Sequence, residues 1–163
     1  MQNRTVAVLG PGAVGSSLIV RLSLVGVPVI CVARPETVGI IALSGISVES
    51  PDGAATVRPE VADELERPVG LLLVTVKAPA LEEALQRVDP ASVAQGVVLP
   101  LLNGLEHMDV LRERFPGRVA AGTISHFQAY RVGRVQIIEA TRSPVITMAS
   151  EEVPRGELDY AAD

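Results

Sequence analysis

Residues 5–22, TVAVLGPGAVGSSLIVRL, constrain the fold of this chain more than any other stretch. "TVAVLG" reads as a short buried strand. Gly10, Gly12 and Gly15 follow at the spacing G-x-G-x-x-G. From Ala13 the apolar period changes: Val14, Leu18, Leu22 and Val25 recur at steps of four, four and three, which is one face of an α-helix. Gly26 supplies a helix stop, and "PVICVA" at 28–33 is a second aliphatic strand. Strand, glycine turn, helix and strand within about thirty residues form a βαβ unit, which requires a parallel sheet. Three glycines alone also fit a plain turn. Their place between a strand and a helix is what phosphate binding demands. There Gly10 would allow the tight turn, Gly12 a close ligand approach and Gly15 tight helix packing. Pro11, Ala13 and Val14 complete the loop. The exposed N–H groups of the helix start and the helix dipole suit a pyrophosphate.

Composition agrees with a sheet buried on both faces. Of 163 residues 48% are apolar but only 2% aromatic, so the core is aliphatic. The length fits one ordinary domain. A net charge of −5 without a Lys/Arg cluster argues against a nucleic-acid surface. No run of 18 apolar residues suggests a membrane span. Cys31, the single cysteine, excludes an internal disulfide, fits a reducing, cytoplasmic location and reads as buried core. No cysteine and histidine spacing suggests a metal site.

Further along, "GISVES" and "ATVRP" flank the turn "PDG" and predict a hairpin over 45–58. "VGLLLVTVKA" (69–78) predicts a central strand, "LEEALQRV" a helix with Leu81, Leu85 and Val88 inward, and "GVVLPLLNG" (96–104) another strand. Leu105, Met108, Leu111 and Phe115 mark the apolar face of a further helix, with His107 on its polar side and at the surface. "RVAAGTISHF", "RVQIIEA" and "PVITMAS" read as three strands, with a turn at 131–133. The whole pattern predicts an α/β fold: a doubly wound, mostly parallel sheet with late antiparallel strands. Residues 1–153 form the domain. The polar 154–163 read as a linker, or as the start of a helical domain absent from this chain.

Ligands of open α/β sheets sit beyond the carboxyl ends of the strands. Arg34 comes at the end of the second strand, 19 residues after Gly15, where an acidic residue would accept from a ribose 2′-hydroxyl. Arginine cannot accept, but it pairs with a 2′-phosphate, which favours NADP over NAD. Glu36 keeps the acidic contact open should the strand end later. Lys77 and Asn103 close the next two predicted strands and face the same crevice. Each alone fits a solvated lysine or an Asn-Gly turn; together they favour a site. His126, in a predicted strand beside Phe127, reads as structural or as a passive lining residue rather than as an acid.

"GPGAVG", Arg34, "LLLVTVKA", "LLNGL" and "GTISH" occur in the order found in ketopantoate reductases, and the chain resembles the amino-terminal half of that family. The resemblance implies a Rossmann-type domain binding NADPH for reduction of a small 2-keto acid, 2-dehydropantoate in pantothenate biosynthesis. It implies that residues 10–15 hold the pyrophosphate and Arg34 the 2′-phosphate. Lys77 would lie near cofactor and substrate, and Asn103 near the nicotinamide ribose. The stretch after Gly122, including Gln128, would line the nicotinamide side. The family's general acid is a lysine in a second, helical domain, for which this chain has no matching residue. Lys77 and Asn103 are left supporting roles, and a homodimer is compatible with such a chain. Pro79 and Ala80, Leu102, and Gln128 depart from the family's usual aromatic and Gln, Gln or His, and Ala. They point to a divergent member, with a different 2-keto acid as a second choice of substrate. Two other readings stay open: a nucleotide-binding module without turnover, and a Rossmann dehydrogenase of the opine or hydroxyacid type.

Overall fold

The computed structural model describes residues 5–142 and 144–162. The strands β1 (Val6–Leu9), β2 (Val29–Val32) and a later one, Val97–Pro100, are buried at every position. Such continuous burial needs cover on both faces of a sheet. Helix α1 (Ala13–Leu24) links the first two strands. After β2 the chain forms α2 (Pro35–Ser44), the hairpin β3 (Ile46–Ser50) and β4 (Gly53–Val57), and the short β5 (Glu60–Ala62). Next come β6 (Leu71–Val74), a 3-10 turn at Ala78–Ala80, α3 (Leu81–Leu85), a second 3-10 turn at Pro90–Val93, and β7 (Val97–Pro100). The remainder is α4 (His107–Arg114), β8 (Ala121–Ser125), β9 (Ala129–Arg131), β10 (Gln136–Glu139), β11 (Val145–Ala149) and α5 (Arg155–Ala162).

The central sheet has the order β5-β2-β1-β6-β7, and every pairing in it is parallel. Alternate residues divide between its faces. Val6, Val8, Val29, Cys31, Leu73 and Leu99 pack with Leu18 and Ile19 of α1. Ala7, Leu9, Ile30, Val32, Leu72 and Val98 pack with Leu81, Leu85, Met108, Leu111 and Phe115. Burial pushes the Cys31 thiol up to about 12, as befits core filler.

The late strands do not extend this sheet. β10 pairs in parallel with β3, giving a second sheet β4-β3-β10-β9, while β8 and β11 form an antiparallel pair. Ile46, Val48 and Ile137 of the second sheet join the core cluster that contains Leu18 and Ile19, so α1 lies between two sheets. For that reason α1 is not the one-faced helix its periodicity suggests. Ser16 through Val20 are all buried, whereas Val25, expected on the buried face, caps the helix and is exposed. Arg21 in the last turn of α1 ties the layers together. Its Nε donates to Glu139 at 3.2 Å, and its Nη2 donates to the same carboxylate and to the carbonyls of Thr141 and Arg142. The Glu139 side chain is 1% exposed and that of Arg21 32%.

Two expectations for α4 are corrected. The helix starts at His107, so Leu105 precedes it and is 78% exposed, and His107 turns inward beside Met108 and Leu111. Burial pushes the His107 pKa below its usual value, opposed by the adjacent Glu106 carboxylate. Three elements were not expected: α2, opened by Pro35, and the three-residue strands β5 and β9, the latter ending at Arg131 where a turn over 131–133 was expected.

Candidate functional site

β1 sits between β2 and β6, so the chain leaves β1 toward one side of the sheet and later returns on the other. Ligand crevices form at such a switch point. Here it is occupied by the loop 10–15, which Thr75, just past β6, holds in place. The Thr75 hydroxyl donates to the carbonyls of Gly10 (2.7 Å) and Leu9 (3.1 Å). Gly10 has φ +94°, and a Cβ on it would strike the Val76 side chain. A Cβ on Gly15 would collide with the Gly10 carbonyl and lie 2.5 Å from the Thr75 hydroxyl. The fold therefore needs both glycines. Gly12 is different: its φ of −74° is ordinary, and the nearest atom to an added Cβ is 4.0 Å away. Packing leaves that position free, and Gly12 lines the crevice.

Gly12 is also the N-cap of α1. No side chain caps the helix and its first turn holds no acid. The first N–H groups of a helix have no acceptor within it, so they are offered to the crevice.

Gly10, Pro11, Gly12, Ala13 and Val14 line one crevice of about 620 Å³ with Arg34, Lys77 and Asn103. Gly15 lies buried behind the loop. Arg34 is the N-cap of α2, its carbonyl accepting from Thr37 (2.8 Å) and Val38 (3.0 Å). Its side chain is 65% exposed and faces the Glu36 carboxylate at 3.6 Å. β2 ends at Val32, so Glu36 belongs to the first turn of α2 rather than to a strand end. Lys77 caps the 3-10 turn after β6, and Asn103 sits in the bend after β7; both are exposed.

Gln128, expected beside these residues, does not line the crevice. Its N–H donates to the Thr141 hydroxyl (2.7 Å) and its carbonyl accepts from Ala140, which holds it in the late-strand layer. Arg131, three residues on, does line it and went unread, because nothing local to "AYRVG" says which sheet it will join. His126 is not in a strand: it is exposed just past β8, with φ +53°. A second cavity, about 730 Å³, lies on the α1 face between Leu18, Leu73, Leu99, Ile146 and Leu158. It is larger but away from the strand ends. Among the described residues no cluster of His, Cys, Asp and Glu could hold a metal ion, and no helix is long and apolar enough to cross a membrane.

A parallel sheet whose first strand runs through a glycine turn into an uncapped helix, with polar residues closing its neighbours, defines a Rossmann-type α/β domain. The chain belongs to the ketopantoate reductase PanE/ApbA family, whose sequence model matches residues 6–150. Over 121 residues it is 34% identical to the 2-dehydropantoate 2-reductase of Caulobacter vibrioides, covering 72% of this chain and 38% of that protein. The structure of 2-dehydropantoate 2-reductase from Porphyromonas gingivalis W83 superposes with a TM-score of 0.82 at 24% identity, covering 99% of this chain and 60% of the other. That of D-mandelate dehydrogenase in complex with NADH superposes with a TM-score of 0.73 at 25% identity, covering 91% and 46%. The chain thus spans between 38% and 60% of the length of these relatives.

Proposed function

We propose that this chain is the cofactor-binding part of a 2-keto acid reductase that uses NADPH, with 2-dehydropantoate the first substrate to test. The observation that carries the reading is the convergence of the loop 10–14, Arg34, Lys77 and Asn103 on one crevice at the switch point of the sheet. The bound nicotinamide supplies a hydride for the ketone carbon; the protein supplies position and polarity. The N–H groups at the start of α1 bind the diphosphate, since those of Gly10 and Gly12 donate to the carbonyls of Val32 and Gly10. Gly12 is explained by a ligand at close approach, since the protein's own packing leaves room for a side chain there. Arg34 takes the 2′-phosphate, a better partner than the distant Glu36 carboxylate. Glu36, outside the strand end and facing Arg34, is a poor ribose acceptor. Lys77 donates toward the substrate oxygen, and the Asn103 amide orients substrate or nicotinamide ribose. Neither is assigned as the proton donor. A cytoplasmic enzyme acting on a small keto acid fits this reading.

One experiment tests it: titration of the protein with NADPH and NADH, beside an assay of NADPH oxidation with 2-dehydropantoate. NADPH should bind at least about tenfold tighter than NADH, the value of one charge-assisted contact, and Arg34→Gln should erase the preference. Equal or reversed affinities in the unaltered protein would refute the 2′-phosphate role. A binding module without turnover is the second reading. It predicts NADPH binding with no oxidation. An NADH-preferring hydroxyacid dehydrogenase, favoured by the D-mandelate dehydrogenase likeness, predicts the reversed ratio.

A further inference from the structure

Two arginines other than Arg34 line the crevice, Arg87 and Arg131. Arg87 has Glu83, also a lining residue, one helical turn before it. Arg131 is different. Its Nε donates to the Gly133 carbonyl (3.0 Å) and its Nη2 to that of Arg134 (2.6 Å), both in the turn between β9 and β10. Two of the five guanidinium donors are thus spent on fixing its direction, and three remain. The ion pairs among the described residues leave it without an acidic partner.

Its place along α1 follows from strand register. In the β9–β10 pair, Ala129 lies opposite Glu139 and Arg131 opposite Ile137. Glu139 is held by Arg21, in the last turn of α1. Ala129 is therefore level with the carboxyl-terminal part of the helix. Two residues farther along a strand is about 6.6 Å. Arg131 shares the crevice lining with Gly12, Ala13 and Val14, so β9 carries it toward the start of α1.

We propose that Arg131 is a contact for the diphosphate of a dinucleotide seated on the start of α1. A preset guanidinium with free donors, lining the same crevice as the uncapped helix start, suits an anion with several oxygens. This rests on the reading of the crevice given above and adds a residue that no motif supplied. The diphosphate is common to NADPH and NADH, so Arg131 contributes to affinity for both and to preference for neither. Arg34 does the opposite.

The test is a set of titrations with NADPH, NADH and adenosine 2′-monophosphate, which keeps the 2′-phosphate and lacks the diphosphate. Arg131→Gln should weaken NADPH and NADH by the same factor, about tenfold, and leave adenosine 2′-monophosphate unchanged. Arg131→Lys should recover part of the loss, since it keeps the charge but not the fork. Arg34→Gln should weaken NADPH and adenosine 2′-monophosphate and spare NADH. Unchanged dinucleotide affinity in Arg131→Gln overturns the proposal, as does an equal loss for all three ligands. If the unaltered protein binds neither dinucleotide, the reading of the crevice fails first and the role of Arg131 falls with it.

Discussion

The parallel sheet and the strands after residue 120 use the same aliphatic residues in opposite ways. β1, β2 and β7 are buried at every position, whereas β8 and β11 alternate between half-buried and exposed. The first region is covered on both faces and presents its chemistry only at its ends, through the loop 10–14, Arg34, Lys77 and Asn103. The second is a half-covered layer that backs α1 and offers side chains from its faces and turns, Arg131 among them. A site built at strand ends inherits the rigidity of the strands behind it; one added from an outer layer depends on how that layer is tied down.

The largest contrast should appear in the cores. Leu72→Ala, at a fully buried position of β6, is expected to cost about 3–4 kcal/mol, with a cavity left in the core. Ile124→Ala in β8, only partly buried, should cost about 1 kcal/mol for the area it removes. Urea unfolding of the two variants measures both, and equal losses would break the contrast.

The next concerns the ties between layers. Arg21→Ala leaves the Glu139 carboxylate buried without its partner, for an expected loss of about 3 kcal/mol. Glu36→Gln removes the partner of Arg34 from an exposed, 3.6 Å pair and should cost less than about 0.5 kcal/mol. If thermal unfolding shows Arg21→Ala to be as mild as Glu36→Gln, the second layer is not anchored through α1.

The smallest effect is one of pH. His107 is buried with its Nδ1 unpartnered and its pKa lowered, so the folded protein holds it neutral where the unfolded chain begins to protonate it. Its contribution is fully present above the unfolded value of about 6.5. Stability is lost as the pH falls from there through the lower folded pKa. His107→Gln should flatten the dependence of stability on pH in that window. An unchanged slope would mean that other groups set it.

These contrasts also explain what could be read from the sequence. The βαβ unit, the hairpin at 45–58 and the crevice residues 10–14, Arg34, Lys77 and Asn103 were legible because each depends on neighbours close in sequence. The pairing of β10 with β3 joins residues about ninety positions apart and leaves no local trace, so the second sheet, Arg131's position and Gln128's displacement from the crevice were not. Once α1 is known to lie between two sheets, its buried serines follow from the layers, not from helical period. His107 was misread for a smaller reason: α4 starts two residues later than the apolar spacing implied, which rotates the buried face.

The central claim is that the crevice at the ends of β1, β2, β6 and β7 holds a dinucleotide against the glycine loop, and Gly12→Ala tests it most directly. The substitution meets no atom of the protein within 4 Å except the Thr75 carbonyl at 4.0 Å, in a backbone conformation open to alanine. Unfolding should therefore show a change below about 1 kcal/mol, the scale of an N-cap effect. The same protein should bind NADPH at least about tenfold more weakly, because the added methyl holds the diphosphate off the N–H groups at the start of α1 and so costs a charge-assisted contact. A stable Gly12→Ala variant that binds NADPH as tightly as the unaltered chain would contradict the account.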